Sequence, residues 1–156
     1  MEKPTNQDPM FQVSEISVSY RPAFKASQRP KVSSSGEAFD ILFGSWDRGR
    51  IELQEQFKVM LLNRANRVIG IHEVSSGGTS GTLADPKLIF GIALKCCASS
   101  IVLAHNHPSG SLKPSHADIS VTRKLKGAAQ LLDMDLHDHL IITAEGYYSF
   151  ADDGML

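Results

Sequence analysis

The sequence SSIVLAHNHPSGSLKPSHAD, from Ser99 to Asp118, contains the strongest structural signals of the chain. It begins with an apolar run that ends at His105, which is typical of a strand covered on both faces of a sheet. A segment with two prolines and a glycine follows, and a helix is predicted from about Ser115. The sequence therefore predicts a buried strand, a tight loop and a helix, with histidines where the strand ends.

Three side chains of this stretch are candidate metal ligands. His105 and His107 are separated by one residue, so both imidazoles project to the same side of an extended chain. Pro108 disfavours the helical region for the residue before it and keeps the pair extended. Asp118 falls in the first turn of the predicted helix, from which its carboxylate reaches back toward the histidines. Two histidines and one aspartate leave the fourth tetrahedral position open for water, which indicates a catalytic zinc site.

Zinc is the expected ion, because oxygen-preferring metals suit imidazoles poorly. Zinc-assisted hydrolysis also needs a group that takes up and returns protons. Glu73 is the candidate, since it is predicted near the end of a strand beside the glycine-rich segment SSGGTSGT. That position is the one reason to choose it before Glu52 or Glu55. Ser115 is the candidate hydrogen-bond donor to the oxyanion that forms.

The segments before this stretch predict further elements. Ser34 and Glu37 have the capping-box spacing of a helix start, and Asp85 followed by Pro86 predicts a second helix. Between them, two apolar runs flank a turn at residues 63–66 and predict a β-hairpin. Alternating residues from Phe11 to Tyr20 predict one more strand. Adjacent cysteines in the second helical pattern are expected as free thiols in the core: Cys96 and Cys97.

The segments after it complete the predicted domain. The long helix is predicted to end at Met134, and its core stripe consists of Ala117, Val121, Leu125, Ala128 and Leu132. Strands are predicted at 139–143 and 147–150. Asp138 and His139 open the first of these, either as a buried hydrogen-bonded pair or as outer support for a metal-bound imidazole. The order of elements indicates an α/β (α+β) domain whose mixed β-sheet is flanked by helices.

Composition and charge exclude several classes of protein. The 156 residues suit one globular domain, with 42% hydrophobic and 21% charged residues. Sixteen basic and seventeen acidic residues give a net charge of −1 without a basic run, so nucleic-acid binding is not expected. No apolar stretch approaches the ~18 residues that span a bilayer, and the start lacks a signal-peptide pattern. We expect a cytoplasmic protein without a membrane partner.

The spacing of the polar residues resembles the JAMM (JAB/MPN) metalloprotease signature. His105 and His107 are followed by Ser115 after seven intervening residues and by Asp118 three positions later. HNHPSG followed by PS and D is most similar to the RadC-like branch, which carries a historical DNA-repair label. GTLADPKLIFGIALK and DHLIIT also look like RadC segments, so the resemblance covers roughly residues 50–156.

The resemblance implies an MPN fold, one zinc ion and a hydrolase that acts on a peptide or isopeptide substrate. The implied metal ligands are His105, His107 and Asp118, with Glu73 as general acid/base and Ser115 assisting the oxyanion. It divides the chain into an N-terminal strand and polar linker, 1–36, and a single RadC-like JAB/MPN domain, 37–156.

Other functions stay open at this point. MPN folds also serve as non-enzymatic scaffolds, and a DNA-associated RadC-like protein with a DNA-repair or mobile-element function is the second alternative. The physiological substrate and homo-oligomer formation are not determined by the sequence. A zinc nucleobase deaminase is excluded, because adjacent cysteines cannot provide the Pro-Cys-x-x-Cys spacing.

Overall fold

The computed structural model describes residues 13–77 and 84–156, which form three α-helices and five strands. The helices are α1 Ser35–Gly44, α2 Pro86–Lys95 and α3 His116–Leu131, and a short 3₁₀ helix spans Ala26–Gln28. The strands are β1 Gln56–Leu62, β2 Val68–Ser76, β3 Ser100–Asn106, β4 Asp135–Ile142 and β5 Tyr147–Ser149. They form one mixed sheet in the order β2-β1-β3-β4-β5, which confirms the predicted α+β class.

The sheet separates two hydrophobic cores. One core contains α1 residues such as Leu42 and strand residues such as Ala104, and the other contains Leu103 of β3 with Leu125 of α3. Successive residues of a strand point to opposite faces, so β3 contributes to both cores and is buried throughout, as its apolar run predicts. The strand lies between β1, antiparallel, and β4, parallel. Helix α3 supplies the crossover that a parallel pair requires.

The predicted helix starts are confirmed by their capping bonds. The Ser34 side chain accepts a hydrogen bond from the Glu37 backbone N–H at 3.2 Å, and the Asp85 side chain accepts one from the Lys87 N–H at 2.9 Å. In a complete capping box the Glu37 carboxylate would accept from the N–H of Ser34. Here it accepts from the N–H of the preceding residue, Ser33, at 2.6 Å. The β-hairpin is also confirmed, since β1 and β2 pair antiparallel on either side of the predicted turn.

The predicted strand from Phe11 to Tyr20 is wrong over the residues that the structure describes. Residues 13–20 form no strand and are exposed, while residues 11 and 12 lie outside the described part. The alternating pattern was present, but a strand needs a neighbouring strand to supply its backbone hydrogen bonds. The segment contacts the sheet through the side chain of Tyr20, whose hydroxyl donates a hydrogen bond to the Ile69 carbonyl of β2 at 3.3 Å.

Two details of the helices also differ from the prediction. Helix α3 ends at Leu131, and of the predicted stripe Ala117 and Leu132 are exposed, whereas Leu125 is buried. The buried face includes Thr122, a polar residue that a purely apolar stripe omits. The buried face of α3 therefore includes Thr122 and Ala129, which the predicted stripe omits, and the Thr122 hydroxyl has hydrogen-bond partners there.

The core placement of the cysteines holds for one thiol of the pair. Cys96 is half-buried and packs against the core under α2 and α3. Cys97 is exposed, and its φ of 52° lies in the left-handed region where the chain leaves α2.

Within the described residues, none of the helices has both the length and the apolar character required to cross a membrane.

Candidate metal centre

The structure brings the three predicted ligands together at the C-terminal end of β3, the central strand of the sheet. His105 Nε2 lies 3.0 Å from His107 Nε2 and 3.2 Å from Asp118 Oδ1. His107 Nε2 lies 3.4 Å from Asp118 Oδ2. The three ligand atoms lie within 4.8 Å of one another, which is compact enough for a single cation.

The end of β3 is fixed by backbone and amide contacts. The Asn106 side chain accepts a hydrogen bond from the Gln56 N–H at 2.7 Å and donates to the Ile51 carbonyl at 2.7 Å. One residue later, the His107 N–H donates to the Ile142 carbonyl at 3.0 Å. Both histidines are therefore held on backbone that is hydrogen-bonded on each side.

The loop after β3 also fixes the ring of His107. A turn closes where the Gly110 N–H donates to the His107 carbonyl at 3.0 Å, and Gly110 has a φ of 81°, which favours glycine. His107 Nδ1 lies 2.8 Å from the Ser111 carbonyl, which only accepts, so Nδ1 carries the hydrogen. In the neutral ring Nε2 then has a free lone pair, and it faces the other two ligands.

Asp118 caps its own helix and contacts the histidines with the same carboxylate. Its Oδ2 accepts from the Ser115 N–H at 2.7 Å, while Ser115 Oγ accepts from the Asp118 N–H at 3.1 Å. This reciprocal capping box orients the carboxylate toward the two rings rather than away from them. Ser115 is exposed beside the cluster, as its predicted role requires.

The electrostatics of the cluster fit a cation. Burial by itself raises the pKa of Asp118, but hydrogen bonds from His105 and His107 outweigh it and hold that pKa well below its ordinary range. The bond with Asp118 raises the pKa of His107 although burial opposes it. Nitrogen and oxygen ligands of this kind suit Zn²⁺.

Glu73 is not brought to this cluster. The register places Glu73 opposite Lys58, and Lys58 opposite Ala104, and directly opposed residues share a face. That is the α1 side of the sheet, where the Lys58 ammonium donates to the Ser45 carbonyl at 2.9 Å. Glu73 accepts hydrogen bonds from Gln56 and Ser76, with Ser76 the first cause of its lowered pKa. Its assignment as general acid/base is therefore not supported by the position of its side chain.

Glu55 is an acidic residue outside the set of three candidate ligands. It precedes β1, and strand alternation puts its side chain on the face of Phe57, whose ring stacks on His105 at 5.9 Å between centroids. The charge of Glu55 contributes to the raised pKa of His107. Sequence reasoning passed over Glu55 because it does not lie beside the glycine-rich segment, most of which is outside the described residues. Alternation places Glu55 on the same side as Phe57, but only the pairing of β1 with β3 shows that this is the side of the histidines.

Two further polar side chains lie behind His105. His139 Nε2 is 2.8 Å from His105 Nδ1, and Thr122 Oγ1 is 2.6 Å from His139 Nδ1. Asp138 and His139 are both buried, and Asp138 Oδ1 accepts a hydrogen bond from the His139 backbone N–H at 2.7 Å, so the predicted buried hydrogen-bonded pair forms through the backbone of His139. The two side chains face opposite sides of the sheet. Asp138 also accepts from Ser149 Oγ at 2.6 Å, and burial raises its pKa. His139 therefore contacts the cluster through His105, and no pattern in the sequence pointed to Thr122.

The chain matches a known family over most of its length. The model of the RadC-like JAB domain matches residues 32–155, which include every residue of the cluster. The chain belongs to this family. The resemblance drawn from the histidine and aspartate spacing is thereby confirmed, while metal binding and catalysis remain predictions.

Curated relatives carry the name UPF0758 protein. A relative from Flavobacterium johnsoniae is 43% identical over 128 residues, which cover 80% of this chain and 53% of the relative. One from Porphyromonas gingivalis is 49% identical over 104 residues, covering 66% and 46%. One from Rubrobacter xylanophilus is 40% identical over 130 residues, covering 82% and 55%. The chain thus spans about half the length of the curated relatives it matches.

Proposed function

We propose that this protein is a zinc-dependent hydrolase of the JAMM type that cleaves a peptide or isopeptide bond. The observation that carries the proposal is the convergence of His105 Nε2, His107 Nε2 and an Asp118 carboxylate on one point. Groups that accept hydrogen bonds repel one another unless a proton or a cation lies between them. A set of three protein ligands is the composition of a catalytic rather than a structural zinc site.

The proposed chemistry divides between the ion and the side chains around it. When bound, zinc supplies Lewis acidity, which polarises a carbonyl oxygen and lowers the pKa of water to about 7. The Glu55 carboxylate takes the proton from the attacking water and returns it to the leaving amine. The exposed Ser115 hydroxyl donates to the oxyanion that develops on the substrate carbonyl.

Metal content tests the first half of the proposal. Elemental analysis of the purified protein is expected to give about one zinc per chain, since three protein ligands complete such a site. His107→Ala removes one ligand and is expected to lower the zinc content to near zero, while circular dichroism shows that the fold persists. Equal and negligible metal in both proteins would end the hydrolase proposal.

Turnover tests the second half with a matched pair of glutamate variants. On a panel of fluorogenic peptides and isopeptides, Glu55→Gln is expected to keep zinc and to lose at least ~100-fold in kcat, the usual contribution of a general acid/base. Glu73→Gln removes the same charge on the other side of the sheet and is expected to keep both zinc and turnover. The reverse result would restore Glu73 to the role that the sequence predicted.

A further inference from the structure

A chain of hydrogen bonds runs behind His105 through the interior of the domain. His105 Nδ1 contacts His139 Nε2 at 2.8 Å, His139 Nδ1 contacts Thr122 Oγ1 at 2.6 Å, and Thr122 Oγ1 contacts the Asp118 carbonyl at 2.6 Å. His139 is completely buried, and its ring stacks on Phe150 with 5.0 Å between centroids. The chain links two of the candidate ligands without touching the cation position.

The direction of each bond follows from the atom at the far end. The Asp118 carbonyl oxygen only accepts, so the Thr122 hydroxyl uses its one hydrogen there. Thr122 Oγ1 therefore accepts from His139, and His139 Nδ1 carries a hydrogen. The directions of these two hydrogen bonds do not depend on a metal.

The next bond then fixes His105. The His139 ring is completely buried, and its hydrogen-bond partners are a hydroxyl and an imidazole, neither of which offers a negative charge, so the site favours the uncharged ring. A neutral ring with hydrogen on Nδ1 accepts at Nε2, so His105 must donate from its own Nδ1. His105 Nε2 is left with a lone pair that points at His107 and Asp118.

We propose that His139, oriented by the Thr122 hydroxyl, is a positioning residue that selects the metal-binding tautomer of His105. The inference rests on the proposed metal site but not on hydrolysis. Without the hydroxyl, His139 moves its hydrogen to Nε2, because Nδ1–H would be buried without a partner. It then donates to His105 Nδ1 and leaves the His105 hydrogen on Nε2, where it blocks the cation. Thr122 thus affects zinc affinity through two hydrogen bonds.

Zinc affinity tests this directly, measured by competition with a chromophoric chelator. Thr122→Val has a similar shape without the hydroxyl, and it is expected to bind zinc about 10–100-fold more weakly, the usual loss when an outer partner of a ligand is removed. Thr122→Ser restores the hydroxyl and is expected to recover most of the affinity. Ser120→Ala removes an exposed hydroxyl from the same helix and serves as the control, with unchanged affinity. Equal affinities for wild type and Thr122→Val would overturn the proposal.

Nitrogen NMR of the imidazoles tests the tautomer without depending on any variant. In the metal-free wild type at about pH 9, where imidazoles are neutral, the His105 hydrogen is expected on Nδ1. Finding it on Nε2 would overturn the proposal even if Thr122→Val fails to fold. A wild type that binds zinc and has the Nδ1 tautomer but turns over no substrate of the panel would instead count against the hydrolase proposal alone. The two failures are therefore distinguishable.

Discussion

The Asp118 carboxylate caps its own helix and also contacts both histidines of the cluster. Ser115 and Asp118 have the spacing of a capping box, and the structure contains both bonds of that box. The same carboxylate lies 3.2 Å from His105 and 3.4 Å from His107. Capping restricts the rotation of the carboxylate without a metal, so binding of the proposed cation would lose less conformational entropy.

The raised pKa of His107 predicts how zinc stabilisation depends on pH. In the metal-free protein the bond with Asp118 raises this pKa. The stability contributed by the protonated ring is complete below the unfolded pKa of about 6.5 and is lost as pH rises through the raised folded pKa. Zinc must displace that proton, so the gain in Tm on adding zinc should increase with pH across this interval. Thermal unfolding with zinc and with EDTA measures it.

A control separates this linkage from general effects of pH on stability. His107→Ala removes the titrating ring, and its Tm is expected to respond little to zinc at any pH. A zinc-induced gain in the wild type that stays constant from acidic to alkaline pH would contradict the link between His107 and the metal.

Among the secondary-structure elements, helix α3 connects the candidate site to the hydrophobic core. Its first turn holds Asp118, its second turn directs Thr122 to His139, and Leu125 lies in the hydrophobic core beyond them. These residues follow one another at three- and four-residue intervals along one face of the helix. Any rotation of α3 would therefore displace the carboxylate and the hydroxyl together.

Two leucines of α3 test which face is buried. Leu125 is fully buried and Leu131 is 88% exposed. Leu125→Ala is expected to lower the free energy of unfolding by about 2–5 kcal/mol, because it leaves a cavity in the core. Leu131→Ala is expected to change it by less than about 0.5 kcal/mol, as surface substitutions usually do. Urea unfolding measures both, and similar losses would show that the helix faces another way.

At the scale of the whole molecule, the N-terminal segment divides into an exposed part and an anchored part. Residues 13–20 are exposed, whereas Val32 is buried in the core beneath α1. Lys31 forms an isolated bridge with Arg67, and the Val32 N–H donates to the Asn66 carbonyl at 2.9 Å. The predicted boundary between 36 and 37 remains a prediction, but these contacts tie residues 31 and 32 to the domain.

Two truncations distinguish the parts. Removing residues 1–18 is expected to leave Tm and zinc affinity unchanged, since the exposed residues 13–18 contribute little buried surface. Removing residues 1–36 also deletes Val32 and the Ser34 cap, and it is expected to destabilise the domain by about 2 kcal/mol or more. Thermal unfolding of the two proteins makes the comparison. Equal stability would support the predicted boundary at 36.

Local structural features could be predicted from the sequence, because the interactions that produce them join residues only a few positions apart. The helix caps at Ser34 and Asp85, the β-hairpin and the buried β3 were all predicted, because side-chain caps, turn residues and apolar runs act locally. The approach of His105 to His107 is equally local, since one intervening residue in extended chain puts both on one side.

The tertiary structure alone decided which distant side chains meet. Glu55 and Glu73 look equivalent along the chain, yet β1 pairs with β2 and β3 in a register that puts Glu73 on the α1 side. The alternating residues 13–20 pair with no strand, although their pattern is typical of one. Thr122 faces the interior, where its hydroxyl is hydrogen-bonded to His139. A face of a sheet or helix becomes functional only through register and packing with remote elements, and no short stretch of sequence contains that information.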